Sequence, residues 1–379
     1  MIIISDIHLG KTNDSFMVDG IPSQTVDIRK RLSTMVARAK LTHQCIAVAG
    51  DVFNRVNPTT HVIAEFFNWL GACKSAGVQV YLIAGNHDAG TDWTNMGMFW
   101  NADLSNVTVI TEPNEIMVRE GRGTDEVQCA VLFWPHIATY QRELAEQGHG
   151  DVSTYIATRF PCKEKGSAKF IITHGCPVGR EAYANDIFFE AGNAMTIDFA
   201  AFPRLVLMVL GHIHDHTSGG RLNWVCPGSL TINNFGEVDE RKGWVEVDLL
   251  SLTWQWYAFP DDVTPWVHVE LDLTEKDETS LDEKKIEKLV SGVVVKITVL
   301  AKAHGVVNEV YIRRLFSKYG HVSRFETVII EPITGAAKLK SRLSHQELLE
   351  EYLKNTDAKE VEKLFALKMG AKIIEEVRA

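Results

Sequence analysis

The sequence predicts an α/β fold in which two β-sheets lie between outer helices, an αββα sandwich. The first observation is the order strand, helix, strand, helix, strand over residues 1–84, which is typical of a mostly parallel sheet. The second is a further set of apolar, strand-like segments between residues 106 and 259. The third is that polar residues directly follow several strands, and binding sites form at the carboxyl ends of parallel strands.

The first sheet is predicted from the opening of the chain. Residues 1–4 (MIII) are apolar and mostly β-branched, which is the composition of a buried strand. Apolar residues at helical spacing predict helices over 27–40 and 62–76. The apolar segments 45–49 and 78–84 predict the second and third strands, which completes the alternating order.

The second sheet is predicted from later segments. Residues 106–135 have the pattern of a β-meander with a hairpin tip at 120–125 (EGRGTD), and residues 149–160 have a helical pattern. The strands expected to complete the second sheet are 169–173, 205–210, 222–226, 243–249 and 252–259.

Two changes of character divide the chain. Residues 258–266 contain two prolines and two aspartates and predict a linker. Beyond it, a small α+β unit is expected from strands near 267–273, 293–300 and 324–331 and helices at 282–290 and 309–318. A capping box at Ser344–Glu347 begins a helical tail. We therefore predict a main domain at 1–258, a small α+β domain at 266–334 and a helical segment at 341–379.

Composition and charge are those of an ordinary globular chain of 379 residues. Hydrophobic residues make up 45% and charged residues 23%, and no apolar run is long enough to span a membrane. The net charge of -10 argues against a protein that simply coats nucleic acid. The six cysteines form no CxxC pair, and the first residues lack a basic signal region. We therefore expect reduced thiols and a cytoplasmic protein.

Ligand-type side chains follow five predicted strands: Asp6, His8, Asp51, Asn86, His87, His174, His212 and His214. Oxygen and nitrogen ligands without thiolate suit Mn²⁺, Fe²⁺ or Zn²⁺. The set is too large for one tetrahedral ion but sufficient for two, and Asp51 is the natural bridge because it follows a central strand. Two such ions can drive displacement at phosphorus.

Two neighbouring residues are candidates for proton transfer. His87 lies next to the ligand Asn86 and is free to protonate a leaving oxygen, and Asp88 is expected to orient the His87 imidazole. A single Asp-x-His or Gly-Asn-His-Asp motif is weak, because these are ordinary turn residues. The joint occurrence after five apolar strands is a strong signal.

These motifs carry a resemblance. Asp6-x-His8, Gly50-Asp51, Gly85-Asn86-His87-Asp88, His174 and Gly211-His212-x-His214 occur in the order seen in the calcineurin-like metallophosphoesterase superfamily. The opening Asp6-Ile7-His8-Leu9-Gly10 and the segment Cys226–Leu230, followed by Glu237 and Lys242-Gly243, resemble the SbcD-type DNA double-strand-break repair nucleases. The resemblance extends over roughly residues 1–250.

The resemblance implies a metallophosphoesterase sandwich with two divalent ions, Mn²⁺ first and Mg²⁺ or Fe²⁺ as alternatives. It implies a first metal held by Asp6, His8, Asp51 and His214, and a second held by Asp51, Asn86, His174 and His212. His87 matches the catalytic histidine. Some relatives place a second catalytic histidine where this chain has Asn54, whose amide can bind phosphate but cannot transfer a proton near neutral pH.

The small domain, residues 266–334, matches the capping domain that orients DNA in such nucleases. Basic and aromatic residues alternate over 311–319, which suits phosphate contacts. The candidate DNA-binding residues are Arg313, Arg314, Lys318 and Arg324. An amphipathic helix with an ordinary solvated basic face explains the pattern equally well.

The resemblance also implies partners. The helices at 341–379 are expected to dock on the coiled coil of an SbcC-type ATPase, with packing against the capping domain as the alternative. A homodimer is expected, with residues 62–70 (VIAEFFNWL) forming either an interface helix or core. DNA ends are the expected substrate and no membrane is involved.

The leading hypothesis is therefore a Mn²⁺-dependent DNA exonuclease and endonuclease, the nuclease subunit of an SbcC/SbcD-type recombination and repair complex. Its expected location is the cytoplasm of a bacterial cell or of a phage-infected host. One alternative is a small-molecule phosphodiesterase or phosphatase with the same core. Another is a weakly active scaffold for the ATPase partner. Salt-sensitive DNA binding and metal-dependent turnover distinguish the three.

Overall fold

A computed structural model describes most of the chain. The described residues are 1–12, 14–88, 104–121, 125–136, 152–160, 169–177, 195–202, 205–219, 223–302 and 307–330. The predicted tail at 341–379 lies outside them. In the described part of the chain, the helices are α1 (Ser23–Thr42), α2 (Thr60–Ala76), α3 (Val152–Arg159), α4 (Glu283–Val290) and α5 (Glu309–Phe316).

The strands alternate with these helices. In chain order they are β1 (Ile2–Ile4), β2 (Met17–Val18), β3 (Ile21–Pro22), β4 (Ile46–Ala49), β5 (Val80–Ile83), β6 (Val107–Ile110), β7 (Asn114–Glu120), β8 (Val127–Trp134), β9 (Phe170–His174), β10 (Cys176–Pro177), β11 (Thr196–Ile197), β12 (Leu207–Gly211), β13 (Thr217–Gly219), β14 (Trp224–Cys226), β15 (Gly243–Val247), β16 (Trp254–Ala258), β17 (Trp266–Asp272), β18 (Val294–Lys302) and β19 (His321–Ile330).

Two six-stranded sheets form the centre of the fold, with the orders β16-β15-β1-β4-β5-β6 and β13-β14-β12-β9-β8-β7. Strands β1, β4, β5 and β6 pair in parallel, as do β8, β9, β12 and β14. Side chains such as Ile3 and Ala47 from one sheet share a buried core with Phe133 and Val209 from the other. Helices α1 and α2 cover the outer face of the first sheet, and α3 packs on the second. The predicted αββα sandwich is confirmed.

The sheet assignment of β15 and β16 was wrong. These strands were expected to complete the second sheet, but β15 pairs antiparallel with β1 and extends the first. The physical reason is that β1 is fully buried, so its second hydrogen-bonding edge requires a partner. Strand β16 is partly exposed along its whole length, which suits its position at the sheet edge.

The predicted β-meander at 106–135 was also wrong as a single unit. Strand β6 pairs in parallel with β5 in the first sheet, whereas β7 and β8 form an antiparallel hairpin in the second. The last pair of this hairpin is Glu120 with Val127, and residues 122–124 of the predicted tip at 120–125 lie outside the described residues. The sequence of a strand does not show whether it pairs with the next strand in the chain or belongs to a different sheet.

The later part of the chain contains a third sheet, in the order β17-β18-β19, together with α4 and α5. Asp282 caps the start of helix α4, and its carboxylate accepts the backbone N–H groups of Lys284 and Lys285. The described residues divide into two compact units, one within 1–269, 281–297 and 309–325 and the other within 270–280, 298–302, 307–308 and 326–330. The predicted domain boundaries stay predictions.

Two further expectations concern thiols and membranes. Cys45, Cys73, Cys129, Cys176 and Cys226 are free, and all but Cys129 are buried, as expected of core thiols. Burial raises the pKa of the Cys73 thiol to about 12, which keeps it protonated. Within the ranges given above, none of the helices combines the length and the apolar character that a membrane crossing requires.

Candidate metal centre

The predicted ligand residues meet because the strands before them are neighbours. Asp6 and His8 follow β1, Asp51 follows β4, and Asn86 follows β5 in the first sheet. In the second sheet, His174 is the last residue of β9, and His212 and His214 follow β12. These strands are parallel within each sheet, so their carboxyl ends open at one edge of the sandwich.

The first group of ligands contains Asp6, His8 and His214. The two Nε2 atoms of His8 and His214 lie 3.0 Å apart. The Oδ1 atom of Asp6 lies 3.8 Å from Nε2 of His214 and 4.0 Å from Nε2 of His8. Asp51 also belongs here, because its Oδ2 lies 3.7 Å from Nε2 of His8. All four side chains are buried.

The second group shares Asp51. Its Oδ2 lies 3.5 Å from Nε2 of His174. The Oδ1 atom of Asn86 lies 3.0 Å from Nε2 of His174 and 3.0 Å from Nδ1 of His212. Asp51 therefore lies between the two groups, as its position on a central strand predicted. The seven predicted metal ligands are brought together at one place.

The geometry and chemistry of this donor set fit two cations. Donors about 2.1 Å from an ion and at right angles to one another lie about 3.0 Å apart, which is the separation of His8 and His214. One ligand atom each from Asp6, His8 and His214 lies within 4.8 Å of the others, and the same is true of Asp51, His174 and His212. Every donor is oxygen or nitrogen, and two carboxylates, Asp6 and Asp51, are buried. Buried carboxylates require compensating positive charge.

The electrostatics of the histidines support this interpretation. Burial alone would lower the pKa of His174, but Asp51 and Asp6 raise it to about 9, so the site strongly favours positive charge there. Burial, followed by the nearby His174, lowers the pKa of His212 to about 3. Burial, with His214 beside it, lowers the pKa of His8 well below its usual range. His8 and His212 therefore keep lone pairs available for a cation.

The backbone at this edge is strained. Asp6, His8, Asp51 and His212 are not glycine, yet all have positive φ, at 52°, 48°, 53° and 92°. Such conformations are uncommon and concentrate at functional sites. They turn the chain sharply after each strand and aim the side chains into a common space.

Two glycines make room for the ligands. Gly50 has φ 88°, and a Cβ at that position would meet the imidazole of His174. A Cβ at Gly85 would meet the carboxylate and the backbone nitrogen of Asp51. The Gly-Asp and Gly-Asn pairs in the sequence thus reflect close approach between neighbouring strand ends.

Two of the ligand imidazoles are held by hydrogen bonds at Nδ1, the ring nitrogen that faces away from the other ligands. Nδ1 of His174 lies 2.8 Å from the carbonyl oxygen of Ala49, and Nδ1 of His214 lies 2.9 Å from Oε1 of Glu237. Each contact places the proton on Nδ1 and leaves the Nε2 lone pair facing the ligand group. Glu237 was not among the predicted site residues. Its signal was its place in the Cys226–Lys242 segment that carried the resemblance.

His87 lies beside the shared ligand. Its backbone N–H donates to Oδ1 of Asp51 at 2.9 Å, and its ring centroid is 4.8 Å from that of His8. Its Nδ1 lies 3.0 Å from the backbone carbonyl oxygen of Asn54. The imidazole is half-buried, so it can face both the ligands and a substrate.

Asp88 was expected to orient the His87 ring, and this stays a prediction. Its carboxylate accepts backbone N–H groups from Val52, Phe53 and Gly85, at 3.0, 2.9 and 3.0 Å. Burial, together with Asp51, raises its pKa to about 6. Asp88 therefore ties together the loops after β4 and β5. The backbone carbonyl of Asn54 contacts His87.

The candidate DNA-binding residues are mostly paired with acids. Arg313 donates to Glu309 at 2.6 Å, and Lys318 donates to Glu283 at 2.6 Å. Arg324 donates to both carboxylate oxygens of Asp14, from Nε at 3.1 Å and from Nη2 at 3.0 Å. The side chain of Arg314 is exposed. The basic pattern is thus largely neutralised within the protein.

The sandwich fold, with two ligand groups that share an aspartate at the carboxyl ends of its strands, is that of a metal-dependent phosphoesterase. The chain belongs to the calcineurin-like phosphoesterase family, whose sequence profile matches residues 1–216. Members of this family use a dinuclear metal centre, and the two groups sharing Asp51 are its candidate ligands here.

Proteins similar to this chain include a nuclease subunit and a solved structure. One is the SbcD subunit of the nuclease SbcCD from Bacillus subtilis (strain 168), with 24% identity over 334 residues that cover 74% of this chain and 80% of that protein. The other is a solved structure, TT1561 of Thermus thermophilus, with a TM-score of 0.36 and 13% identity over 68% of this chain and 97% of the other.

Proposed function

We propose that this protein is a Mn²⁺-dependent DNA nuclease that hydrolyses phosphodiesters with exonuclease and endonuclease activity. The observation that supports phosphodiester chemistry is the pair of ligand groups joined by Asp51, with His87 beside them. DNA as the substrate is supported by the similarity to an SbcCD nuclease subunit, which extends over most of both chains.

The ligands divide between two ions in this proposal. Asp6, His8, Asp51 and His214 hold the first, and Asp51, Asn86, His174 and His212 hold the second. When bound, such a pair supplies an activated water and stabilises charge on the attacking and leaving oxygens. Oxygen and nitrogen donors without thiolate are compatible with Mn²⁺, with Mg²⁺ and Fe²⁺ as alternatives.

His87 is the proposed proton donor to the leaving oxygen. The Asn54 carbonyl accepts the proton on Nδ1, so the second proton of the imidazolium is held on Nε2. The ring is kept against His8, and the backbone N–H of His87 donates to Asp51. Asp88 contributes by fixing the two loops that bear Asp51 and His87.

For Arg313 and Lys318 to contact DNA, each must release its carboxylate partner and bind a phosphate instead. Arg313 and Lys318 lie in exposed ion pairs, which are weak, so a phosphate can replace Glu309 or Glu283 at little cost. Arg314 is exposed and needs no such exchange. These three residues are the proposed phosphate contacts on this surface.

A second candidate function is hydrolysis of small phosphodiesters. It is favoured by one observation, that three of the four predicted DNA-binding cations are already paired with carboxylates. A protein whose cations are mostly neutralised presents a weak field to a polyanion. A scaffold with weak catalysis is disfavoured, because all seven ligands are present and gathered.

The assembly proposal concerns an ATPase partner and a second copy of the chain. The similarity to a subunit of SbcCD supports an SbcC-type partner, which we assign to residues 341–379. We keep the domains as 1–258 for hydrolysis and 266–334 for capping. Co-purification of an SbcC-type ATPase with the full chain, and its loss on deletion of 341–379, tests the partner. Light scattering of the purified protein tests the dimer.

The deciding experiment compares end-labelled linear duplex DNA with an aryl phosphodiester, each with Mn²⁺, Mg²⁺ or EDTA. We expect Mn²⁺-dependent degradation of DNA that His87→Ala reduces about 10²- to 10⁴-fold. DNA cleavage should fall steeply as salt rises, whereas hydrolysis of the small ester should not. Turnover of the ester without any cleavage of DNA would replace the nuclease with the second candidate.

A further inference from the structure

Arg324 was predicted to touch DNA, but the structure places it in a well-formed ion pair. Its guanidinium makes a two-point contact with Asp14, whose carboxylate also accepts the hydroxyl of Ser323. The Asp14 side chain is only 6% exposed, against 41% for Arg324. Paired, parallel hydrogen bonds of this kind fix both position and angle.

Asp14 lies in the loop that follows Asp6 and His8, the first two predicted metal ligands in the chain. The described residues of this loop, 9–12 and 14–16, follow His8, and the backbone N–H of Lys11 donates to the His8 carbonyl at 3.1 Å. The same loop contacts the start of β19 a second time, through the rings of Phe16 and His321, whose centroids are 5.8 Å apart. The position of this loop relative to β19 is therefore set by Asp14 and Phe16.

The other side of Arg324 faces the segment that supports His214. Its Cζ lies 5.8 Å from the centroid of the Phe235 ring, within cation–π range. Phe235 begins the short 3₁₀ helix Phe235–Glu237, and Glu237 at its end holds Nδ1 of His214. The Phe235 ring also packs on Trp266, at 4.9 Å between centroids.

We propose that Asp14 and Arg324 form a latch that positions His8 and His214 relative to each other. Arg324 joins the loop after His8 to the helix that holds the partner of His214, and these two imidazoles approach within 3.0 Å. Asp14 and Arg324 are positioning residues, because neither contacts the ligand atoms. The inference rests on the proposed assignment of His8 and His214 to one metal ion.

The latch acts on the geometry of a ligand pair, so metal affinity is the direct readout. The loop and the 3₁₀ helix are otherwise far apart in sequence, and Arg324 lies 310 residues beyond Asp14. Without the latch, the loop after His8 and the 3₁₀ helix lose the contact that joins them through Arg324, and the separation of the two Nε2 atoms is less tightly held. Substitution of a residue that hydrogen-bonds to a metal ligand typically lowers metal affinity about 10- to 100-fold. Asp14 and Arg324 do not bond to the ligands themselves, so we expect a smaller loss of about 3- to 10-fold.

The experiment titrates the full-length protein with Mn²⁺ by calorimetry and electron paramagnetic resonance. His8→Asn identifies the binding event that involves His8. Arg324→Gln, Asp14→Asn and the double variant test the latch. Arg38→Gln is the matched control, because Arg38 makes the same two-point contact with Glu246 and lies over the Tyr257 ring, with 35% of its side chain exposed.

We expect Arg324→Gln and Asp14→Asn each to weaken the His8-dependent event about 3- to 10-fold and to leave the other event unchanged. The double variant should bind Mn²⁺ as tightly as the single variant with the lower affinity, because both substitutions remove the same contact. Arg38→Gln should change neither event. If Arg324→Gln fails to fold, Arg324→Lys, which keeps the charge but not the two-point geometry, should show the same selective loss.

Three results would overturn the latch. The first is unchanged Mn²⁺ affinity in folded Arg324→Gln while His8→Asn loses one event. The second is an equal loss in Arg38→Gln, which would indicate general destabilisation. The third is a raised KM for DNA in Arg324→Gln with normal Mn²⁺ binding, which would make Arg324 a DNA contact. Retention of both events in His8→Asn would instead overturn the ligand assignment on which the latch rests.

Discussion

The imidazole of His214 and the carboxylate of Glu237 are joined by a hydrogen bond of 2.9 Å from Nδ1 to Oε1. Glu237 is fully buried and also accepts Nζ of Lys242 at 2.7 Å and the backbone N–H of Asn233 at 3.0 Å. Burial alone would raise its pKa, but the bonds from His214 and Lys242 lower it to about 2. Glu237 is therefore a permanent carboxylate that holds one tautomer of His214.

Glu237→Gln should weaken Mn²⁺ binding about 10- to 100-fold, because an amide holds the His214 tautomer less strongly. Glu240→Gln is the control, since Glu240 also accepts Lys242, at 2.8 Å. Calorimetric titration with Mn²⁺ measures both variants. An equal loss in the two would show that Lys242, and not the His214 tautomer, governs affinity.

Gly85→Ala should disrupt the shared ligand. The added Cβ would meet the Asp51 carboxylate and backbone, so we expect a loss of about 3 kcal/mol or more in the free energy of unfolding, together with lost Mn²⁺ binding. Gly71→Ala is the matched variant, because it lies within α2 and a Cβ there meets nothing within 4 Å. That change should stabilise the protein by about 0.5–1 kcal/mol. Denaturant unfolding measures both, and a neutral Gly85→Ala would contradict the close approach.

The sequence predicted the ligand cluster because strand ends and ligand residue types are both local signals. His174 and His212, for example, each follow an apolar run and needed only the parallel-sheet rule to be placed together. The groups that hydrogen-bond to these histidines could not be predicted in this way. The carbonyl oxygens of Ala49 and Asn54 hold His174 and His87, and every residue has such a carbonyl.

Long-range pairings escaped prediction for a related reason. Strand β15 joins the first sheet because β1 has an unpaired buried edge, which only the assembled sheet reveals. Arg324 looked like a phosphate contact because its acceptor, Asp14, lies at the other end of the chain. Charge patterns in sequence show which residues are basic and leave their partners undefined.

The ion pair between Arg38 and Glu246 should make stability pH-dependent. Burial alone would raise the Glu246 pKa, but bonds from Arg38 and Trp244 hold it below 4.5. Because the folded pKa is the lower one, the stabilisation is present above pH 4.5 and is lost as pH falls through the folded value. Glu246→Gln should cost about 1 kcal/mol at pH 7 and little at about pH 3. Urea unfolding at both values tests this, and a pH-independent difference would contradict it.

Asn54→Ala should retain most of the hydrolytic activity. The contact that holds Nδ1 of His87 uses the backbone carbonyl of residue 54, at 3.0 Å, and alanine provides the same group. We expect kcat for an aryl phosphodiester to fall less than about tenfold, against about 10²- to 10⁴-fold for His87→Ala. Saturating Mn²⁺ in both assays separates proton transfer from metal loading. Equal losses in the two variants would mean that the Asn54 side chain itself acts on the phosphate, and the orientation of His87 by the backbone would then not explain its role.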